Sequence, residues 1–116
     1  MDAQNQIVIE KRGGVTLLDV KGDVTSGSEG VFNDTYRNLD TGSTPTILLK
    51  FDEGAYINSG GIAVLIQMLA ETQRNNQKVG ITGLSEHFKK IFKMVGITKF
   101  ANIYPSVDEA VQNLSG

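Results

Sequence analysis

Tyr56-Ile57-Asn58-Ser59-Gly60-Gly61-Ile62-Ala63-Val64-Leu65 is the most informative stretch of the chain. An apolar run, Ile47, Leu48, Leu49 and Phe51, leads into the acidic turn Asp52-Glu53-Gly54 just before it. Ile62, Leu65, Ile66 and Leu69 follow at the i, i+3, i+4, i+7 spacing of an amphipathic helix. The order is therefore buried strand, polar loop, helix. Ser59 falls at or beside the helix N-terminus. A serine there has two readings. It is a plain N-cap, or it is a hydroxyl held where the helix dipole and free N–H groups favour a phosphate. Gly60 and Gly61 leave the backbone beside it open to close approach.

The same alternation of strand and helix runs through the chain. Gln6–Arg12 and Val15–Lys21 read as strands joined by Gly13-Gly14, a hairpin signal. Gly22-Asp23 ends the second strand. Thr25, Ser26 and Ser28 offer caps for a helix reaching about Asn38, with Phe32, Tyr36 and Leu39 on its apolar side. Thr46–Phe51 is nearly continuous in apolar residues, as a strand buried on both faces should be. The clearest helix runs from Ile62 to Gln73, and Lys78–Thr82 is the next strand. Ser85 caps a helix with Phe88, Ile91, Phe92 and Val95 on its core face and Gly96 as its stop. Phe100–Tyr104 reads as a last strand. Ser106 and Glu109 form a capping box for a final helix carrying Val107, Ala110, Val111 and Leu114. The order β-β-α-β-α-β-α-β-α predicts an α/β fold: a mixed, mostly parallel sheet with about four covering helices.

Composition narrows the function. The chain has 116 residues, with 40% hydrophobic and 21% charged residues, which suits a single globular domain over 1–116. A net charge of −2 argues against a nucleic-acid partner. No apolar run approaches the roughly 20 residues of a membrane span. The N-terminus lacks the basic and apolar regions of a signal peptide, so the expected location is cytoplasmic. With no cysteine and His87 alone, thiolate chemistry and multi-histidine metal sites are excluded. No cofactor or metal is expected. With no oversized apolar face in the pattern, the expected state is a monomer.

The chain resembles the STAS domains, specifically the bacterial anti-sigma factor antagonists. The resemblance rests on Tyr56-Ile57-Asn58-Ser59-Gly60-Gly61-Ile62-Ala63, on Leu84-Ser85 through Gly96-Ile97, and on the acidic turn Gly22-Asp23. It implies a binding module that works by partner switching. The antagonist binds an anti-sigma factor that is also a serine kinase, releasing the sigma factor. The kinase then phosphorylates the antagonist, and a PP2C-type phosphatase resets it. Carried onto this chain, the phosphoacceptor is Ser59, with Asp23, Asn58, Gly60 and Gly61 around it.

The chain departs from the family pattern at two positions. Asn58 stands where the family has Asp, and Gly60 where it has Ser, Thr or Ala. An uncharged Asn58 favours the alternative that the domain is an unphosphorylated scaffold in a sensory assembly or a lipid-transport complex.

Asp23, Asp52 and Glu53 are candidates for setting the charge of the Ser59 surface or holding a metal during phosphoryl transfer. Solvated turn residues are the plainer reading. Lys89, Lys90 and Lys93 read as a solvated basic face, and His87 as an exposed surface residue. An enzymatic reading, with Ser59 on a nucleophile elbow, fails on Ile57, which stands where such an elbow has Gly.

Overall fold

A computed structural model describes residues 5–115. Strands β1 (Gln6–Arg12) and β2 (Val15–Lys21) form an antiparallel hairpin. Its two-residue turn has Gly13 at φ 55° and Gly14 at φ 84°, the doubly left-handed conformation that matches strand twist. A 3-10 turn, Ser26–Ser28, leads into α1 (Glu29–Arg37). Then come β3 (Thr46–Phe51), α2 (Ser59–Arg74), β4 (Lys78–Thr82) and α3 (Glu86–Met94). A second 3-10 turn, Ile97–Lys99, precedes β5 (Asn102–Ile103) and α4 (Val107–Leu114).

The five strands lie in the order β1-β2-β3-β4-β5. Only the β1–β2 pairing is antiparallel; β2–β3, β3–β4 and β4–β5 are parallel. The fold is thus the α/β architecture that the strand–helix alternation predicts.

Side-chain alternation splits the core in two. Leu18 and Val20 of β2, Ile47, Leu49 and Phe51 of β3, and Val79 and Ile81 of β4 face one way. There they meet Phe32 of α1, Leu65, Met68 and Leu69 of α2, and Phe88 and Phe92 of α3. Val15, Leu17 and Leu48 face the other way, toward Ala110 and Leu114 of α4. Gly80 lets α4 approach: a Cβ there would stand 2.9 Å from Leu114 and from the Tyr104 ring.

Three details differ from the sequence expectation. Helix α2 begins at Ser59, three residues before Ile62, so both glycines are helical. Strand β5 keeps only two of five expected residues, because Ile97–Lys99 forms a 3-10 turn and Phe100 caps it. Val95 is 45% exposed rather than core. It lies just past the end of α3, as its C-cap, and so falls off the apolar stripe. Gly96 does stop that helix, at φ 87°. Ser85 and Ser106 cap α3 and α4 by accepting from the backbone N–H groups of Phe88 and Glu109.

Candidate functional site

The parallel strands deliver two loops to one end of the sheet. One follows β2 and the other follows β3. They are knitted together by backbone. The Val24 N–H donates to the Tyr56 carbonyl at 2.9 Å, and the Asn58 N–H to the Val24 carbonyl at 3.2 Å. Val24 and Ile57 form an isolated parallel bridge, with both side chains buried.

Two carboxylates tie the loops reciprocally. Asp23 Oδ1 accepts from the Tyr56 N–H at 2.9 Å, reaching from the β2 loop to the β3 loop. Asp52 Oδ2 accepts from the Gly22 N–H at 3.1 Å, reaching the opposite way. The reading of Asp23 and Asp52 as merely solvated turn residues is therefore corrected. Each spends an oxygen on a backbone donor 33 and 30 positions distant, respectively. Glu53 is exposed. Among the described residues, no three His, Cys, Asp or Glu side chains cluster as metal ligands would.

Asn58 takes the cap of α2. Its backbone is extended, and its Oδ1 accepts from the Gly61 N–H at 2.8 Å. The reading of Ser59 as the cap is thereby overturned, since one residue earlier already fills that role. Ser59 is the first helical residue and is exposed. Its hydroxyl stands at the positive end of a 16-residue helix, beside N–H groups that a helix start leaves free.

Gly60 and Gly61 are required by contact. A Cβ on Gly61 would lie 2.2 Å from the Val24 carbonyl oxygen, and one on Gly60 would lie 2.9 Å from Ser26 Cβ and 3.0 Å from its backbone nitrogen. The first turn of α2 is pressed flat against the Val24–Ser26 segment. Of the five residues singled out by the motif, Asp23, Asn58, Ser59, Gly60 and Gly61, the structure brings all into this one patch.

Tyr56 extends the patch. It is 59% exposed, and its ring meets Phe88 of α3 edge-on at 6.1 Å. His87, also exposed, packs edge-on against the same Phe88 ring at 5.0 Å. The basic side chains of α3 are partly engaged: Lys89 bonds Glu86 at 3.0 Å. That hydrogen bond and the Lys89 charge hold the Glu86 carboxyl below the usual carboxylate range, with Lys90 and Lys93 adding to the effect. Tyr56 has no role assigned by the motif; its aromatic ring in a loop otherwise made of Asp, Glu, Gly, Ala, Ile and Asn is the signal in the sequence.

A family model described as the STAS domain matches residues 6–110. The chain belongs to the STAS domain family. Solved structures show the same fold at low identity. An anti-sigma factor antagonist from Mycobacterium paratuberculosis is similar at a TM-score of 0.76 and 15% identity, covering 97% of this chain and 96% of that one. The unphosphorylated form of the anti-sigma factor antagonist SpoIIAA is similar at 0.66 and 13%, covering 97% and 99%. The phosphorylated form of the Bacillus cell fate determinant SpoIIAA is similar at 0.59 and 12%, covering 95% and 98%. Among the described residues of this STAS domain, no helix is long and apolar enough to cross a membrane.

Proposed function

We propose that this STAS domain is an anti-sigma factor antagonist that works by partner switching. It binds an anti-sigma factor with serine-kinase activity, is phosphorylated at Ser59, and then releases its partner. A PP2C-type phosphatase resets it, and the output is control of transcription in the cytoplasm. The domain acts as a single binding module over 1–116 and as a monomer. It is not itself an enzyme and takes no nucleic acid, membrane, metal or cofactor as partner.

The observation that carries this reading is the division of labour between Asn58 and Ser59. Asn58 caps α2, so the exposed Ser59 hydroxyl is spared for chemistry. A phosphate there would bring about −1.5 to −2 charges to a helix N-terminus, where the dipole tolerates it. The fold need not change. The added charge acts on the partner's surface instead, around Tyr56 and the two stapled loops. Two of the similar structures are forms of SpoIIAA described as unphosphorylated and phosphorylated, which supports a switch of this kind.

Asn58 favours a second reading, a scaffold that binds without being phosphorylated. An amide caps the helix but supplies no charge to orient a hydroxyl or a metal–nucleotide complex. Intact-mass measurement separates the two, after incubation with Mg-ATP and each serine-kinase anti-sigma factor encoded nearby. The switch requires one added phosphate in the wild type and none in Ser59→Ala, with Ser59→Asp abolishing kinase binding. A complex that forms without phosphate gain, and survives Ser59→Asp, establishes the scaffold. Faster phosphate gain in Asn58→Asp identifies residue 58 as the determinant of rate.

A further inference from the structure

We infer that Asn5 is a positioning residue for the Ser59 patch, holding from behind the loop against which α2 starts. Asn5 is polar yet only 9% exposed. It lies one residue before β1, whose pairing with β2 opens at Gln6↔Lys21. Beyond that pair, Gly22 turns at φ 88° and the ladder ends. The Asn5 side chain takes over there. Its Nδ2 donates to the Lys21 carbonyl at 2.9 Å and the Asp23 carbonyl at 2.7 Å, spanning the turn. Its Oδ1 accepts from the Ser28 hydroxyl, and Ser28 Oγ accepts in turn from the Thr25 N–H at 3.0 Å. The amide orientation follows from chemistry, because two carbonyl oxygens require a donor and only the NH2 group supplies one.

One side chain thus pins the 21–28 segment at Lys21, Asp23 and Ser28. The same segment carries the contacts that tie it to the patch: Gly22 on Asp52, Asp23 on Tyr56, Val24 on Tyr56 and Asn58, and Val24 and Ser26 beneath Gly61 and Gly60. Asn5 touches none of Tyr56, Asn58 or Ser59 in these bonds. It acts through the loop, so the geometry that a partner reads is set in part by a residue outside the motif.

Asn5→Asp is the sharpest test, because it keeps the shape while turning an oxygen toward the two carbonyls. Amide exchange reads the loop without any partner. The Tyr56 and Asn58 amides, both bonded into the 23–24 segment, are expected to exchange about ten-fold faster, the equivalent of one net hydrogen bond. Leu114→Ala, in the separate core under α4, serves as the control for general destabilisation. It should lower the melting temperature without a selective loss at these two amides.

The partner arm rests on the function proposed above. It uses the kinase that modifies the wild type in the intact-mass assay. Asn5→Asp should weaken that complex about three- to ten-fold, and Leu114→Ala should leave it unchanged. If Asn5→Asp does not fold, Ser28→Ala removes the two bonds of the Ser28 hydroxyl, to Asn5 and from the Thr25 N–H, while leaving both carbonyl bonds of the Asn5 amide in place, and it serves instead in both arms. Unchanged exchange at Tyr56 and Asn58 overturns the inference, and so does faster exchange with unchanged kinase affinity. A wild type that binds no kinase defeats the functional reading instead, while exchange still decides the role of Asn5.

Discussion

The two glycines after Ser59 sit in the same helical turn but meet different neighbours. Gly61 faces the carbon and oxygen of the Val24 carbonyl at 2.6 and 2.2 Å from a would-be Cβ, and backbone cannot step aside cheaply. Gly61→Ala should therefore cost about 3 kcal/mol, the upper part of the overpacking range, by chemical denaturation. Gly60→Ala meets Ser26 Cβ at 2.9 Å and its backbone nitrogen at 3.0 Å, a shallower overlap than at Gly61, and should cost about half as much. Equal costs would mean that the Val24–Ser26 segment shifts as a unit. Asn58 offers a change in the other direction. Asn58→Asp keeps a capping oxygen and adds a negative charge at the helix start. It should stabilise by about 0.5 kcal/mol, while Asn58→Ala should destabilise by about 1 kcal/mol. Thermal melts of the two variants check both signs, and the gain in Asn58→Asp should shrink as salt is added.

At the scale of elements, the β2 and β3 loops depend on each other through Asp23 and Asp52. Each carboxylate accepts a backbone N–H from the other loop, and each bond is exposed to solvent. Asp23→Ala and Asp52→Ala should each cost about 1 kcal/mol. Because both bonds close the same junction, the double variant should fall short of the sum by at least about 0.5 kcal/mol. Strict additivity in a denaturation cycle would show that the loops are held independently. Helix α3 shows how far sequence periodicity reaches. Phe92 is fully buried and meets Phe51 edge-on at 6.4 Å, so Phe92→Ala should cost about 3–5 kcal/mol. Val95 has the same spacing on paper but stands past the last helical turn. Val95→Lys should change stability by less than about 0.5 kcal/mol in the same measurement.

On the scale of the whole molecule, the sheet is covered unequally. Among the described residues, α1, α2 and α3 close over one face, and α4 closes the other through Ala110 and Leu114 against Val15, Leu17 and Leu48. Leu114→Ala should cost about 2–4 kcal/mol. Exchange should then rise first in the β2, β3 and β4 amides beneath α4. The Ser59 patch draws on the larger core, so it should keep its geometry in that variant. The patch therefore sits on the better-supported side of the sheet, at the end where parallel strands hand their loops to helix starts.

The amino-acid pattern by itself determined the succession of strands and helices, the hairpin at Gly13-Gly14, the caps at Ser85 and Ser106, and the stop at Gly96. Those features depend on neighbours within a few residues, whose spacing and backbone preference are written locally. It also brought Ser59 and its glycines to a helix start. It misplaced that start, because two consecutive glycines disfavour a helix by about 1 kcal/mol each and read as loop. Only the tertiary structure showed that they are helical, since the reason for them is Val24, far away in the chain and pressed against their missing side chains. The same holds for the carboxylate ties of Asp23 and Asp52, for Asn5 behind the loop, and for Asn58 rather than Ser59 as the cap. The long-range ties join residues whose distance in sequence hides their contact in space. The cap hangs on one residue of register, which hydrophobic periodicity does not resolve and hydrogen-bond geometry does.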